Sequence, residues 1–249
     1  KQLCGRTFVY RILKTQRLVS AVSETRKLKS VGILGGTFDP PHWGHLRLAE
    51  HFCKILHLDH IIWMPAGQPW QKPETITPAK HRLAMSEYAI ETLRDLFVDH
   101  HIYTKIEIST LEMARSGPSY AIETAQEIRA LYGKQTSITW LMGWDSWENL
   151  HTWKDWGKLT EQVHLAVTSR PSNSSKAFVE EHFSKHITTD PALLQLIPHG
   201  KVLLDQGLQI NLSSTRLREL LINQPSADEL ADAIPPLVLE YIHNQGLYR

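Results

Sequence analysis

The residues best placed to do chemistry lie in one run, Gly35-Gly36-Thr37-Phe38-Asp39-Pro40-Pro41-His42-Trp43-Gly44-His45. Paired glycines let a backbone approach a phosphate closely, and Asp39-Pro40 forces a turn. His42 and His45 are three residues apart, so at a helix start both imidazoles face one cavity. The helix start itself adds unpaired N–H groups and the positive end of a dipole. The chemistry implied is capture of a phosphate chain by two aligned donors. His-x-x-His also occurs in metal sites, but the run lacks the further ligands of a closed zinc shell. It is neither a Walker loop, since no Gly-Lys-Ser/Thr follows, nor a G-x-G-x-x-G fingerprint. Taken alone, Gly-Gly after a strand is usually a turn, and a single histidine is more often a surface or core residue than a ligand.

A second segment changes that balance. In Leu212-Ser213-Ser214-Thr215-Arg216-Leu217-Arg218 three hydroxyls precede an apolar helical pattern. Hydroxyls at a helix start with an arginine in its first turns make an anion site. By itself the segment reads as an ordinary capped helix; beside the first run it becomes a second phosphate holder.

The elements that must position these groups follow from periodicity. Val31 to Leu34 is a short apolar run stopping at Gly35-Gly36, as a buried parallel strand does. Leu46, Ala49, Phe52, Cys53 and Leu56 recur at helical spacing, and Ile61 to Met64, closed by Pro65, is the next strand. Residues 31 to 64 are thus a βαβ crossover. Pro65 to Pro78 holds four prolines and reads as a functional loop. A helix is predicted from about Pro78 to Leu93, with Ala84, Tyr88 and Ile90 among its apolar positions, then a half-buried strand over Tyr103 to Ile108. Ser119 to Tyr132 reads as helix, Ser137 to Met142 as buried strand, Val163 to Val167 as strand, Lys176 to His186 as helix and Lys201 to Leu204 as strand. The helix begun at Ser213 and an amphipathic one over Pro235 to Gln245 finish the chain. Such alternation predicts an α/β fold, a Rossmann-like doubly wound parallel sheet in one domain with a small helical C-terminal part, its ligands beyond the strand carboxyl ends. There are no internal repeats.

Composition bounds the classes. The 249 residues are 42% hydrophobic and 21% charged, and no apolar stretch reaches the roughly 18 to 20 residues that span a bilayer. Membrane insertion is not expected. Two cysteines, Cys4 and Cys53, make no disulfide framework, which fits a reducing, cytoplasmic setting. The net charge of +1 hides an asymmetry: residues 1–29 carry eight Lys or Arg against one acid, Glu24, leaving 19 bases and 25 acids in the remainder. Residues 1–29 are read as a basic extension without a fold of its own and 30–249 as the folded domain, whose mild acidity argues against nucleic acid as a partner.

The first run, with its turn and H-x-G-H, resembles the signature of the nucleotidylyltransferase superfamily. Its fuller Gly-Gly-Thr-Phe-Asp-Pro form is similar to bacterial nicotinate mononucleotide adenylyltransferases, and the resemblance extends from about Val31 to Arg249. It implies an enzyme that joins nicotinate mononucleotide to the AMP part of ATP and releases pyrophosphate, with Mg²⁺ carried on ATP. It implies that Gly35, Gly36, Thr37, Phe38, His42, His45, Ser213, Ser214, Thr215 and Arg218 hold ATP, and that His42, His45 and Arg218 are catalytic. Gly143-Trp144-Asp145-Ser146 resembles the family's G-x-D-S element, which places Asp145 on ribose or mononucleotide. Trp153 matches a tryptophan that stacks on the pyridine ring, with Trp147 and Trp156 read as packing. Gly117-Pro118-Ser119-Tyr120 matches the segment bordering the nicotinate, but Ala121 stands where a threonine is usual, leaving backbone N–H groups to recognise the acid. In the proline-rich loop Lys72 keeps a family cation, while Gln71 departs from a histidine. Arg82 matches a basic residue at the start of the family's next helix, or is an exposed helix arginine.

The resemblance leaves the same chemistry on another acceptor open, nicotinamide mononucleotide above all. A different class of answer is a non-enzymatic nucleotide sensor, or a nucleic-acid binder using the basic extension. Asp39 is read as fixing the turn, not as a metal ligand. Homo-oligomerisation is left open.

Overall fold

The computed structural model describes residues 28–68, 76–168, 178–223 and 230–249. Strands β1 (Ser30–Gly36), β2 (His60–Pro65), β4 (Ser137–Gly143) and β5 (His164–Thr168) are buried along nearly their whole length. Continuous apolar runs of this kind belong to strands covered on both faces, which is how a parallel sheet is built. With β3 (Lys105–Ile108), β6 (Ile187–Thr188) and β7 (Val202–Asp205) they form a seven-stranded sheet in the order β3-β2-β1-β4-β5-β7-β6. Every pairing is parallel. The chain builds outward from β1 in one direction, then returns to β4 on its other side. The strand order therefore reverses between β1 and β4, where a doubly wound sheet opens its crevice.

The two-residue period of the strands divides the core. Leu34, Ile61 and Trp63 face one side and pack with α1 (Trp43–Leu56), α2 (Ala79–Asp99), α7 (Ser214–Ile222) and α8 (Pro236–Gln245). Val31, Ile33, Ile62 and Met64 face the other and pack with α3 (Ala121–Tyr132) and the tryptophan-rich α4 (Trp144–Glu148). The short helices α5 (Phe178–His182) and α6 (Leu193–Leu196) complete the element order.

Differences from expectation are local. The helix starting after Pro78 continues to Asp99, and Tyr88 is 37% exposed, not an apolar-face position. Strand β3 begins only at Lys105, where pairing with His60 starts, leaving Tyr103 almost wholly exposed. Periodicity did not foresee α4, α6 or β6, which are too short to carry a period. The basic segment 1–27, the Pro69–Lys72 part of the loop and the start of the helix expected from Lys176 lie outside the described residues. Among the described residues no helix is long and apolar enough to cross a membrane.

Candidate active site

A cleft of about 430 Å³ opens at the carboxyl ends of β1 and β4. It is lined at one end by Gly35, Gly36, His42 and His45 with Ser213, Ser214, Thr215 and Arg218, and at the other by Ser119, Tyr120, Asp145 and Trp153. Thr37 and Phe38 also line it. All fourteen predicted site residues other than Lys72 therefore meet at this cleft, while Lys72 lies outside the described residues.

The local sequence explains the shape of the phosphate end. A Cβ on Gly35 would come within 2.9 Å of the Trp140 ring, and one on Gly36 within 3.0 Å of Phe38. Phe38 sits at φ 50°, stacks on Trp63 at 4.3 Å and meets the His45 ring at 4.9 Å. Its ring is buried in the core, so its side chain supports His45. A Cβ on Gly44 would fall 2.7 Å from Ile210 and 2.9 Å from the His42 imidazole. That is the physical content of H-x-G-H here: the glycine leaves room for the first histidine's ring.

The two imidazoles stack at 3.8 Å between centroids. The His42 backbone N–H donates to Nδ1 of His45 at 3.1 Å. A neutral His45 that accepts at Nδ1 carries its proton on Nε2. His42 is only 4% exposed, and burial pushes its pKa down to about 4. It is therefore a neutral ring near pH 7, and its buried Nδ1 has no hydrogen-bond partner among the described residues. Buried polar atoms are normally satisfied, and this unpaired one belongs to a side chain that lines the cleft.

Asp39 does what its turn position implied. It is 1% exposed, precedes a cis peptide bond to Pro40, and its carboxylate accepts from Tyr248 Oη at 2.5 Å and from Thr77 N at 3.2 Å. Arg218 Nη1 donates to the Asp39 carbonyl at 2.8 Å, and Ser214 Oγ donates to the Pro40 carbonyl at 3.1 Å. The two phosphate-type segments, some 175 residues apart in sequence, are thus hydrogen-bonded to each other. Arg218 Nη2 also reaches Thr215 Oγ1 at 3.3 Å, and Ser213 Oγ caps α7 by accepting from Arg216 N at 3.3 Å.

Arg82 is not an exposed helix arginine. It is 1% exposed and donates to the carbonyls of Thr37 (3.0 Å), Ala66 (2.6 Å), Gly67 (2.8 Å) and Thr77 (3.1 Å). A fixed guanidinium fork with four carbonyl acceptors ties the glycine turn to the proline-rich loop. Burial lowers its pKa while nearby Asp39 raises it.

At the other end Trp153 is half-buried and meets Trp140 edge-to-face at 6.3 Å. Trp147 is fully buried, and Trp156 packs on His182 and Phe183, so both serve the core. Ser119 Oγ accepts from Gly67 N at 3.2 Å, and Ala121 begins α3 at the cleft wall. Two charged lining residues escaped the sequence reading. Glu112 is 6% exposed and accepts from Thr124 Oγ1 at 2.7 Å; burial pushes its pKa up. Lys154 lies over the Tyr120 ring at 4.4 Å and pairs with Glu123 at 2.7 Å. Nothing in the sequence distinguished Glu112 from any acid between apolar neighbours, whereas adjacency to Trp153 was a usable signal for Lys154.

The chain is similar to known proteins in both sequence and fold. The cytidylyltransferase-like family model matches residues 33–220. A nicotinate-nucleotide adenylyltransferase of Salmonella typhimurium is 33% identical over 220 residues, spanning 87% of this chain and 97% of that protein. A probable nicotinate-nucleotide adenylyltransferase of Yersinia pestis is also 33% identical, over 87% of this chain and 94% of that protein. In fold, the chain superposes on the Plasmodium falciparum nicotinic acid mononucleotide adenylyltransferase complexed with NaAD. The TM-score is 0.64 at 17% identity, over 88% of this chain and 97% of that one.

Proposed function

This chain belongs to the cytidylyltransferase-like family, on its nicotinate-nucleotide adenylyltransferase branch, and we infer that it transfers the adenylyl group of ATP to nicotinate mononucleotide. One observation carries the reading. The glycine turn with its two imidazoles and the distant hydroxyl-arginine helix start converge on one cleft, bonded through Arg218 to Asp39 and Ser214 to Pro40.

The reaction is an in-line attack of a mononucleotide phosphate oxygen on the α-phosphorus of ATP. A new P–O–P bond forms, the α–β bridge breaks, and pyrophosphate leaves with the bonding electrons; no covalent enzyme intermediate is needed. Catalysis is mainly positioning and neutralisation of spreading negative charge. Gly35, Gly36, Thr37 and Phe38 offer backbone to ATP, and His42 and His45 hold α- and β-phosphate oxygens. Because His42 is neutral, it acts as a hydrogen-bonding ring rather than a cation. Arg218 with Ser213, Ser214 and Thr215 takes the leaving pyrophosphate side, and Lys72 steadies the approaching phosphate. Asp145 holds ribose, Trp153 stacks on the pyridine, and Ser119 and Tyr120 border its carboxylate.

Among the described residues no group of three or more His, Cys, Asp or Glu could hold a metal ion. Mg²⁺ brought in on ATP would neutralise phosphate charge there. We take residues 30–249 as the catalytic domain, residues 1–29 as an appendage outside it, and the cytoplasm as its setting.

Ala121 is the specific observation favouring the amide, because the acid loses a hydroxyl partner there. A coupled assay offering ATP with either mononucleotide decides between them. Preferred use of the nicotinate form is expected. Preference for the nicotinamide form would transfer the assignment to that acceptor, and no pyrophosphate release with either would remove adenylyl transfer.

A further inference from the structure

The C-terminal Gly246-Leu247-Tyr248-Arg249 segment has no part in the reaction just described, yet it reaches the loop that carries both histidines. Helix α8 ends at Gly246 in the left-handed region, φ 61°, with its N–H bonded to His243 O. The chain then folds back through Tyr248, a non-glycine residue also held left-handed at φ 58°. A bulky side chain adopts that conformation only where its surroundings over-determine it. What holds it is the hydroxyl, which donates to Asp39 Oδ1 at 2.5 Å across 209 residues of sequence and lies 3.9 Å from Met85 Sδ.

Asp39 is the hub on which this bond acts. Its carboxylate is almost fully buried and accepts a second bond from Thr77 N, with Arg218 Nη1 3.9 Å away. Its carbonyl takes the Arg218 bond. Asp39 stands between the glycine pair and His42, so the direction of its carboxylate sets the path of the loop from Gly36 to His45. A buried carboxylate that loses one hydrogen-bond donor will turn toward the nearest remaining charge, here Arg218, and take the loop with it.

We propose that Tyr248 is a positioning residue for ATP, orienting the phosphate loop and Arg218 through the Asp39 carboxylate. Its side chain does not line the cleft. The Tyr248 proton stays on the hydroxyl across the working pH range, since burial and the neighbouring Asp39 charge both push its pKa up. This inference rests on the reading of the cleft as an ATP site and deepens it by joining the last residues of the chain to that site.

The test is a double-mutant cycle read by calorimetric titration of full-length protein with ATP and Mg²⁺, alongside turnover. Tyr248→Phe keeps the ring and removes only the hydroxyl. It is expected to weaken ATP binding about tenfold, with the KM for mononucleotide within twofold of the parent. In an Asp39→Asn background the same change should add less than a further twofold. Thermal midpoints of all four proteins, taken above the assay temperature, separate this from loss of fold. ATP binding by Tyr248→Phe within twofold of the parent would overturn the proposal, and so would effects of the two substitutions that multiply. Absence of turnover in the parent would sink the acceptor assignment, while the ATP titration would still decide the role of Tyr248.

Discussion

The two ends of the cleft are built in opposite ways. At the phosphate end the working groups rest on buried, cross-linked side chains: Asp39 and Arg82 are 1% exposed and His42 4%, and their partners come from the glycine turn, the proline-rich loop, α7 and the C-terminal segment. At the acceptor end Glu112 is buried against Thr124, but the ion pair beside Trp153 is open to solvent, with Lys154 46% and Glu123 36% exposed around that half-buried ring. Buried charge networks are rigid because any member left unpaired costs several kcal/mol, whereas an exposed pair is worth about 0 to 1 kcal/mol and rearranges readily. On the proposed reading the rigid end receives the polyphosphate and the adjustable end the acceptor.

The contrast can be broken at its strongest point first. His45→Ala removes an oriented donor at the rigid end and should lower kcat by about 10² to 10³. Turnover within a few-fold of the parent would take His45 out of the reaction. At the adjustable end, Trp153→Ala should raise the mononucleotide KM by about tenfold while leaving the KM for ATP near its parent value, as loss of one stacked face predicts. An equal rise in both would mean that the cleft is a single cooperative unit, and the comparison would fail.

Acidification should then cost stability through buried histidines, one of them at the phosphate end. His42 and His164 have folded pKa values lowered to about 4 by burial, below the unfolded value of 6.5. Between those values the unfolded chain binds more protons, so stability is complete above about pH 6.5 and is lost as pH falls toward 4. The unfolding free energy from urea titration should drop between pH 7 and pH 5, by at most about 2 kcal/mol for each histidine. A His42→Asn variant that keeps the parent's full slope would show that His42 contributes nothing to it. Smallest of all, Lys154→Met should cost about two- to threefold in kcat/KM for the nicotinate substrate and less for its amide analogue. An identical change for both would place the ammonium away from the ring's acid group.

Much of this was legible in the order of residues. Gly35 to His45 and Ser213 to Arg218 announced phosphate chemistry because glycine, imidazole, hydroxyl and guanidinium each have few other reasons to gather at a strand end or helix start. The long strands were legible for a similar reason, since β1, β2 and β4 are buried on both faces and leave unbroken apolar runs. Short elements such as α4 were not, because five residues carry no measurable period.

What sequence alone determined, then, were the parts whose signal is local: the glycine-histidine loop, the capped helix start, and the alternation of strands and helices. What only the tertiary structure decided were contacts between distant segments. Arg82 could be read equally as a surface residue until four carbonyls from separate loops were seen to surround it. Gly44 owes its necessity partly to Ile210, and Asp39 its orientation to Tyr248, both far along the chain. Burial and hydrogen-bond satisfaction depend on what folding brings into range, and no local pattern of residue types encodes that range.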